Sequence, residues 1–378
     1  MAEPLPAPRR RLDAGTLTVG AQYLAFASAI FLAVEHAKLW RQGADFLSFW
    51  TGARFVVEGR AATAYDPAAA EAVQHAHGFV GAFPFISPPP LLALVAPFGL
   101  LPYPAALAVW IVAGYGAYAL SIRWLPKGTY WPALAFPGAV LCAMAGQNGL
   151  VTTALICAAL GQLPRRKVLA GVFVGLLVIK PQLALLTPVA LAAGREWRAF
   201  AAAAVTAVAA LGLSVLWLGG DALSAFLGSS DYLSGLYDRP ELLPKIKSVF
   251  ALAVELGAPR PAALGLQGVA ALLAAWAVWR VWSRNRDPLA RAAVLAAATP
   301  LAPPYLLLYD VVFLVLPVIW LGMEGARHGY RPWERAALGV AYAMPILALA
   351  APVMAPVTPL WSLALLLAVL QRQSAPAA

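Results

Sequence analysis

Charged residues and cysteines are scarce in this chain. Of its 378 residues only 12% are charged, whereas 62% are hydrophobic and the mean hydropathy is +0.74. Soluble domains carry about 25% charged residues, so this composition excludes a soluble globular protein and predicts an all-α polytopic membrane protein. The two cysteines, Cys142 and Cys157, lack a CxxC or metal-ligand spacing, and we expect them to pack as small apolar side chains.

Motifs for metal and nucleotide-sugar chemistry are absent as well. The sequence has no Asp-x-Asp pair, no zinc spacing, no Ser/His/Asp arrangement and no glycine-rich phosphate loop. His75 and His77 lie on a polar helix without metal-ligand spacing, and we expect them to be solvated. The sequence therefore predicts no metal and no cofactor.

The formal net charge of +10 comes from short basic clusters between apolar stretches. Cytoplasmic loops of membrane proteins collect lysine and arginine, so these clusters predict topology, and nucleic-acid binding is not expected. The clusters that we place in the cytoplasm are Arg9/Arg10/Arg11, Arg123/Lys127, Arg165/Arg166/Lys167, Arg195/Arg198, Arg280/Arg284/Arg286/Arg291 and Arg327/Arg331/Arg335.

This topology predicts about 12 spans in a single transmembrane domain, residues 16–370, in a bacterial inner membrane. The tails 1–15 and 371–378 are both placed in the cytoplasm. Residues 40–90 form a first extracytoplasmic loop and residues 219–261 a second region on the same side. Whether the short, proline-broken segment Leu91–Leu101 crosses the membrane stays open.

Three apolar stretches are interrupted by polar or proline-rich residues, at 146–149, 180–182 and 300–310. The basic clusters place all three interruptions on the outer side. Several of the flanking segments are shorter than the roughly 20 residues that a crossing needs. Irregular backbone inside a bilayer usually lines a cavity, because protein or water must satisfy its polar groups.

The stretch 43–67, GADFLSFWTGARFVVEGRAATAYDP, is the first place where a carboxylate, an arginine and aromatic residues meet. Its apolar spacing predicts an amphipathic helix over Phe46–Glu58, lying on the membrane surface. Asp45 stands just before this helix and either caps it or belongs to a site; both interpretations stay open. Asp66 before Pro67 predicts a capped second helix that stops at Gly78.

The interruptions supply the other candidate side chains. Lys180 lies beside a proline in an apolar stretch, where a charge normally faces a cavity and has a partner, or else reaches the interface. Gln147 and Asn148 form either a turn or part of a site, and Asp310 either caps the next helix or reaches the cavity. A carboxylate can remove a proton from a hydroxyl, and fixed cations can hold an anionic leaving group such as a lipid phosphate.

Five groups of segments occur in order along the chain: DFLSFWTGARFVVEG with AYDP, FPFISPPPLLALVAPFGLLP, AGQNGLVTTALICAAL, LAGVFVGLLVIKPQLALL with GREWRAF, and TPLAPPYLLLYDVVFLVLP. Taken together over residues 16–325, they resemble glycosyltransferase family 87. This family is a branch of the multi-spanning C-type glycosyltransferases, and its known members include polyprenol-phosphate-mannose-dependent alpha-mannosyltransferases.

The resemblance implies the C-type fold, a polyprenyl-phosphate sugar donor and metal-independent, inverting transfer to an unknown glycan or lipid acceptor outside the membrane. The base of the family maps onto Asp45. Gly146-Gln147 and Lys180-Pro181 map onto the donor phosphate region, with Arg54 as a weaker candidate. Where many relatives have a Ser-Pro-His turn, this chain has Ala302-Pro303-Pro304-Tyr305, so no histidine role is carried over. The predicted substrate cavity comprises Asn148, Tyr305, Tyr309 and Asp310.

Two other functions are compatible with the sequence. A transporter or flippase of a lipid-linked anion would use Lys180 at a broken helix as its anion site. An inactive scaffold of an envelope-assembly complex would tolerate the loss of both Asp45 and Lys180.

Overall fold

The computed structural model describes residues 14–42, 44–80, 83–229, 235, 245–350 and 358–374. These residues form helices, and the β contact among them is an isolated antiparallel bridge between Ile246 and Leu307. The all-α prediction is confirmed. Asp231, Asp238 and Glu241 of the second outer region, and most of the two predicted tails, lie outside the described residues.

The first twelve α-helices are α1 Ala14–Gln42, α2 Phe46–Val57, α3 Pro67–Ala76, α4 Pro89–Val95, α5 Tyr103–Ser121, α6 Tyr130–Leu134, α7 Pro137–Ala145, α8 Gly149–Gln162, α9 Lys167–Gly175, α10 Thr187–Ala193, α11 Trp197–Leu218 and α12 Gly220–Gly228. The remaining described α-helices are α13 Val249–Glu255, α14 Arg260–Arg284, α15 Pro288–Ala298, α16 Val315–His328, α17 Glu334–Ala350 and α18 Thr358–Ser374. Short 3-10 helices occupy Ala61–Tyr65, Ala96–Leu100, Ile122–Trp124, Leu176–Ile179, Pro181–Ala184, Thr299–Leu301 and Leu308–Leu314.

Five helical stretches among the described residues are long and apolar enough to cross a membrane. They are Val19–His36, Tyr103–Trp124, Trp197–Leu218, Arg260–Arg284 and Leu308–His328. These stretches indicate a membrane protein. The other apolar helices have 10–17 residues, fewer than the roughly 20 that a straight crossing needs. The count of about 12 spans and the C-type fold therefore stay predictions.

All three predicted interruptions are present. Gly146 ends α7 in the left-handed conformation (φ +65°), and α8 begins three residues later. Lys180 lies in extended backbone (φ −150°, ψ 71°) between two 3-10 turns, because Pro181 disfavours the helical conformation of the residue before it. Residues 302–307 separate the turn Thr299–Leu301 from the turn that starts at Leu308.

Helix α2 ends one residue before the predicted Glu58, and its apolar face packs against protein. Nine of its twelve residues are buried, and Phe46 stacks on Trp110 with ring centroids 5.7 Å apart. The Trp50 indole donates a hydrogen bond to the Leu101 carbonyl over 2.9 Å. The expectation that this aromatic stripe faces lipid is wrong, because the stripe packs against protein and forms the core of residues 44–110. The location of the helix at a membrane surface stays a prediction.

The second outer helix follows its sequence signals closely. The Asp66 carboxylate accepts hydrogen bonds from the backbone amides of Ala68 (2.9 Å) and Ala69 (3.3 Å). Helix α3 ends at Ala76, and Gly78 follows at φ +82°. The predicted cap is confirmed. Both cysteines are free and buried, as their expected packing role requires.

Helices α9 and α11 approach each other closely along a pair of glycines. A Cβ atom at Gly171 would lie 2.2 Å from the Ala199 carbonyl oxygen, and one at Gly175 would lie 2.5 Å from the Ala203 carbonyl oxygen. Glycines four residues apart line one helix face and let two membrane helices pack at the backbone. This contact holds α9, which leads through a 3-10 turn to Lys180, against α11.

We expect Gly171→Ala to destabilise the protein by about 1–3 kcal/mol, because the added methyl group overpacks the contact with α11. Unfolding of the purified protein in detergent, followed by circular dichroism, measures the loss. The control is Gly212→Ala in α11, where a Cβ meets no atom within 4 Å and alanine favours the helix by up to about 1 kcal/mol. Equal stability of the two variants would contradict the close contact.

Candidate active site

Asp45 does not cap α2, although it directly precedes the helix. Its backbone is already helical (φ −57°, ψ −22°), and its side chain makes no capping hydrogen bond. A capping side chain needs a more extended backbone to reach the free amides of the first turn. The first helical hydrogen bonds are instead accepted by backbone carbonyls, from Leu47 to Ala44 (2.7 Å) and from Ser48 to Asp45 (3.1 Å).

The Asp45 carboxylate is held by two side chains from distant parts of the chain. Gln147 Nε2 donates to Asp45 Oδ2 over 3.3 Å, and the Tyr309 side chain is close enough to favour the ionised form of the carboxyl. All three residues are half-buried. The carboxylate is therefore fixed in orientation by Gln147 on a residue that keeps part of its surface exposed.

Opposing effects act on the acidity of Asp45, which lies outside the membrane-spanning stretches. Burial raises the pKa of its carboxyl, and this effect dominates. The hydrogen bonds from Gln147 and Tyr309 and the charges of Lys245 and Lys180 favour the ionised form and limit the rise. The net result is a pKa above the ordinary value of an aspartate, which makes this carboxylate a stronger base.

Lys180, whose charge acts on the Asp45 carboxylate, lies in a buried polar network. Its ammonium donates to Asn148 Oδ1 over 2.9 Å and forms an ion pair with Asp310. The ammonium also lies 5.5 Å from the centre of the Tyr309 ring. Lys180, Asn148 and Asp310 are all buried, so the partner expected for a lysine in an apolar stretch is found at Asp310.

In the interruptions at 146–149 and 300–310, consecutive residues have different partners. Gln147 and Tyr309 contact Asp45, whereas the next residues, Asn148 and Asp310, contact Lys180. Lys180 thus joins the interruption at 146–149 to the one at 300–310, and fixes the relative positions of Gln147 and Tyr309.

Asp310 fixes the start of the turn in which it lies and also pairs with Lys180. One of its carboxylate oxygens accepts a hydrogen bond from the Leu307 amide over 3.1 Å, while the other pairs with Lys180. The side chain therefore fixes the start of the turn Leu308–Leu314 and the lysine together. Asp310 is fully buried, so its predicted contact with a substrate cavity stays a prediction.

Two glycines explain why the first interruption reads Gly-Gln-Asn-Gly. A Cβ at Gly146 would lie 2.6 Å from the Cβ of Phe46, and one at Gly149 would lie 2.2 Å from the Tyr309 carbonyl oxygen. The absence of side chains lets the start of α2 and the Tyr309 backbone approach the same turn. Larger residues at these positions would separate the donors from Asp45.

A segment that the sequence did not single out also borders the site. The bridge between Ile246 and Leu307 includes a hydrogen bond from the Lys247 amide to the Leu306 carbonyl over 2.7 Å. This contact holds Lys245 next to the turn that carries Tyr309. Lys245 is exposed, and its charge acts on the Asp45 carboxylate. Pairing across residues so far apart leaves no local sequence signal.

The remaining predicted residues are less closely associated with this cluster. Arg54 lies about 13 Å further along the helix axis than Asp45, at about 1.5 Å per residue. Its guanidinium lies 3.6 Å from the Glu58 carboxylate and over the Trp50 ring at 5.2 Å, so the structure does not bring it to Asp45. Tyr305 is partly buried on the segment that leads to Tyr309.

The arrangement can accept a proton at Asp45 and place positive charge beside the reacting groups. A family model described as "Glycosyltransferase family 87" matches residues 85–317, which include all three interruptions and the bridge. Asp45 precedes the matched range. No curated protein and no solved structure matches the chain. Because the matched range covers more than half of the 378 residues, the chain belongs to glycosyltransferase family 87 and is a glycosyltransferase.

Proposed function

We propose that this glycosyltransferase moves a hexose, with mannose as the first candidate, from a polyprenyl-phosphate donor to an acceptor hydroxyl outside the membrane. Membership of the family supports glycosyl transfer. The observation that carries the proposal is the half-buried Asp45 carboxylate, which accepts a hydrogen bond from Gln147, lies near Tyr309 and does not bind helix amides. The donor and the outer-side location are taken from the resemblance and from the basic clusters.

In the proposed reaction, Asp45 accepts the proton of the acceptor hydroxyl. The hydroxyl oxygen forms a bond to the anomeric carbon, while the bond from this carbon to the phosphate oxygen breaks. The lipid phosphate leaves as a dianion with the electron pair of that bond, so it requires positive charge more than a proton donor. Attack from the face opposite the phosphate inverts the anomeric centre. The proposed transfer needs no metal.

We propose different roles for the two lysines near Asp45. The sequence assigned the leaving phosphate to Lys180, but the charge of this residue is already neutralised by Asp310. Lys180 is therefore assigned to positioning the interruptions and, with them, Gln147 and Tyr309. Lys245 is exposed and makes no ion pair within the described part of the chain, and it is the better candidate to hold the phosphate.

The transporter alternative requires Lys180 to be an anion site. An ammonium that is already paired with a carboxylate and an amide oxygen has little capacity to attract a second anion. Family membership also favours transfer over translocation. The scaffold alternative predicts no turnover and is tested by the same assays as the enzyme.

We expect Asp45→Asn to lower turnover by about 10²- to 10⁴-fold, because the amide cannot accept the proton of the hydroxyl. The measurement is release of polyprenyl phosphate from synthetic polyprenyl-phospho-mannose by purified protein supplied with glycans and lipids extracted from its native envelope. Asp66→Asn is the matched control, since asparagine also caps a helix. Equal rates for Asp45→Asn and the unmodified protein would remove Asp45 from the mechanism.

The raised pKa of Asp45 predicts the pH dependence of kcat/KM. Only the ionised carboxylate is a base, so activity should fall on acidification at a pH above the value of about 4 that is usual for a carboxyl. Gln147→Leu removes a donor that favours the ionised form, so the acidic limb should move to still higher pH. The same substitution at Gln162, at the far end of α8, should leave the limb in place. An acidic limb that Gln147→Leu does not move would argue against this role of Gln147.

The two lysines should respond differently to substitution. We expect Lys245→Gln to lower kcat/KM roughly 10- to 100-fold through loss of a charged contact, with unchanged thermal stability. Lys180→Met should cost about 3–5 kcal/mol of stability, because Asp310 is left buried and unpaired. Stability should recover in the double variant Lys180→Met/Asp310→Asn. If Lys180→Met weakens donor binding without a loss of stability, Lys180 rather than Lys245 holds the phosphate.

A further inference from the structure

An open groove of about 520 Å³ lies where α9 begins beside the start of α11. Four basic side chains and three aliphatic ones line it: Arg165, Arg166, Lys167, Val168, Leu169, Val172 and Arg198. The groove is separate from the Asp45 site. Helix α9 and the 3-10 turn after it span about 20 Å between Lys167 and Lys180, as their rise per residue requires.

The groove carries a local excess of positive charge. Lys167 pairs with Glu196 over 2.7 Å, and the same carboxylate lies 3.5 Å from Arg291. Arg165, Arg166 and Arg198 are exposed, and none of them has an acidic partner within 4.0 Å in the described part of the chain. Three guanidinium groups are therefore available to an anion.

The position of the groove along the membrane normal follows from its neighbours. Trp197, which begins the apolar stretch Trp197–Leu218, is 59% exposed. Exposed tryptophans at the ends of membrane helices lie at the level of the lipid headgroups. Val168, also 59% exposed, lies one residue after the basic cluster. The guanidinium groups thus lie at headgroup level, and the aliphatic wall continues towards the acyl chains.

We propose that this groove binds an anionic phospholipid. The guanidinium groups of Arg165, Arg166 and Arg198 donate hydrogen bonds to the phosphate oxygens, a geometry for which arginine is suited. The acyl chains lie along Val168, Leu169 and Val172. Basic pockets between membrane helices bind acidic headgroups in this way. Topology alone would place basic residues beside apolar ones, but it would not require that both kinds line one groove of this size.

Thermal unfolding of the full chain in dodecyl maltoside tests this site. We expect added dioleoylphosphatidylglycerol to raise the Tm by several degrees, since a ligand that binds the folded state stabilises it. Dioleoylphosphatidylcholine has the same acyl chains without net charge, and inorganic phosphate has the charge without the chains. Neither should reproduce the shift. A shift of equal size with either probe would overturn the proposal.

The triple variant Arg165→Gln/Arg166→Gln/Arg198→Gln should bind dioleoylphosphatidylglycerol about 100-fold more weakly than the unmodified protein. Its Tm in dioleoylphosphatidylcholine should be unchanged, which shows that the variant is folded. The matched control is Arg123→Gln/Arg284→Gln/Arg335→Gln, which removes three exposed arginines of other predicted cytoplasmic clusters. If the two triple variants lose the lipid-induced shift equally, general attraction between charges explains it and the groove is not a site.

Discussion

The buried ion pair between Lys180 and Asp310 is the constraint on which the site depends. A charged side chain in an apolar environment is costly unless a partner compensates it. The partner here comes from a segment 130 residues further along the chain, and Asn148 from a third segment completes the network. The pair therefore fixes the relative positions of segments that no local helical structure joins. Gln147 directly precedes Asn148, and Tyr309 directly precedes Asp310. The network therefore also fixes the positions of Gln147 and Tyr309.

The surroundings of Asp45 have two opposing effects on the pKa of its carboxyl. A base needs partial shielding from water, which raises its pKa, but it also needs contacts that keep it ionised and oriented. Burial supplies the first, and the donors Gln147 and Tyr309 supply the second. The aromatic core around α2 adds rigidity, because Phe46, the residue after Asp45, is fully buried. The Asp45 carboxylate is thus attached to the start of a well-packed helix, α2, although the sequence places it in a loop.

The sequence predicted the features that depend on local chemistry. The three interruptions, the Asp66 cap and the presence of a partner for Lys180 follow from proline, glycine and the cost of a buried charge. Whether Asp45 caps α2 could not be predicted from the neighbouring residues, because capping depends on the backbone conformation of Asp45 itself. The partner of Lys180 and the approach of Lys245 depend on pairing between distant segments. The stripe on α2 was misplaced because an apolar face has the same periodicity whether it meets lipid or protein.

The bridge between Ile246 and Leu307 connects the second outer region to the backbone of the site. Lys247 and Leu306 share a hydrogen bond, and Tyr309 follows Leu306 by only three residues. A displacement of the segment at 245–247 would therefore be transmitted to the short backbone stretch that leads to Tyr309. Through this connection, a region far away in the sequence can alter the surroundings of the Asp45 carboxylate.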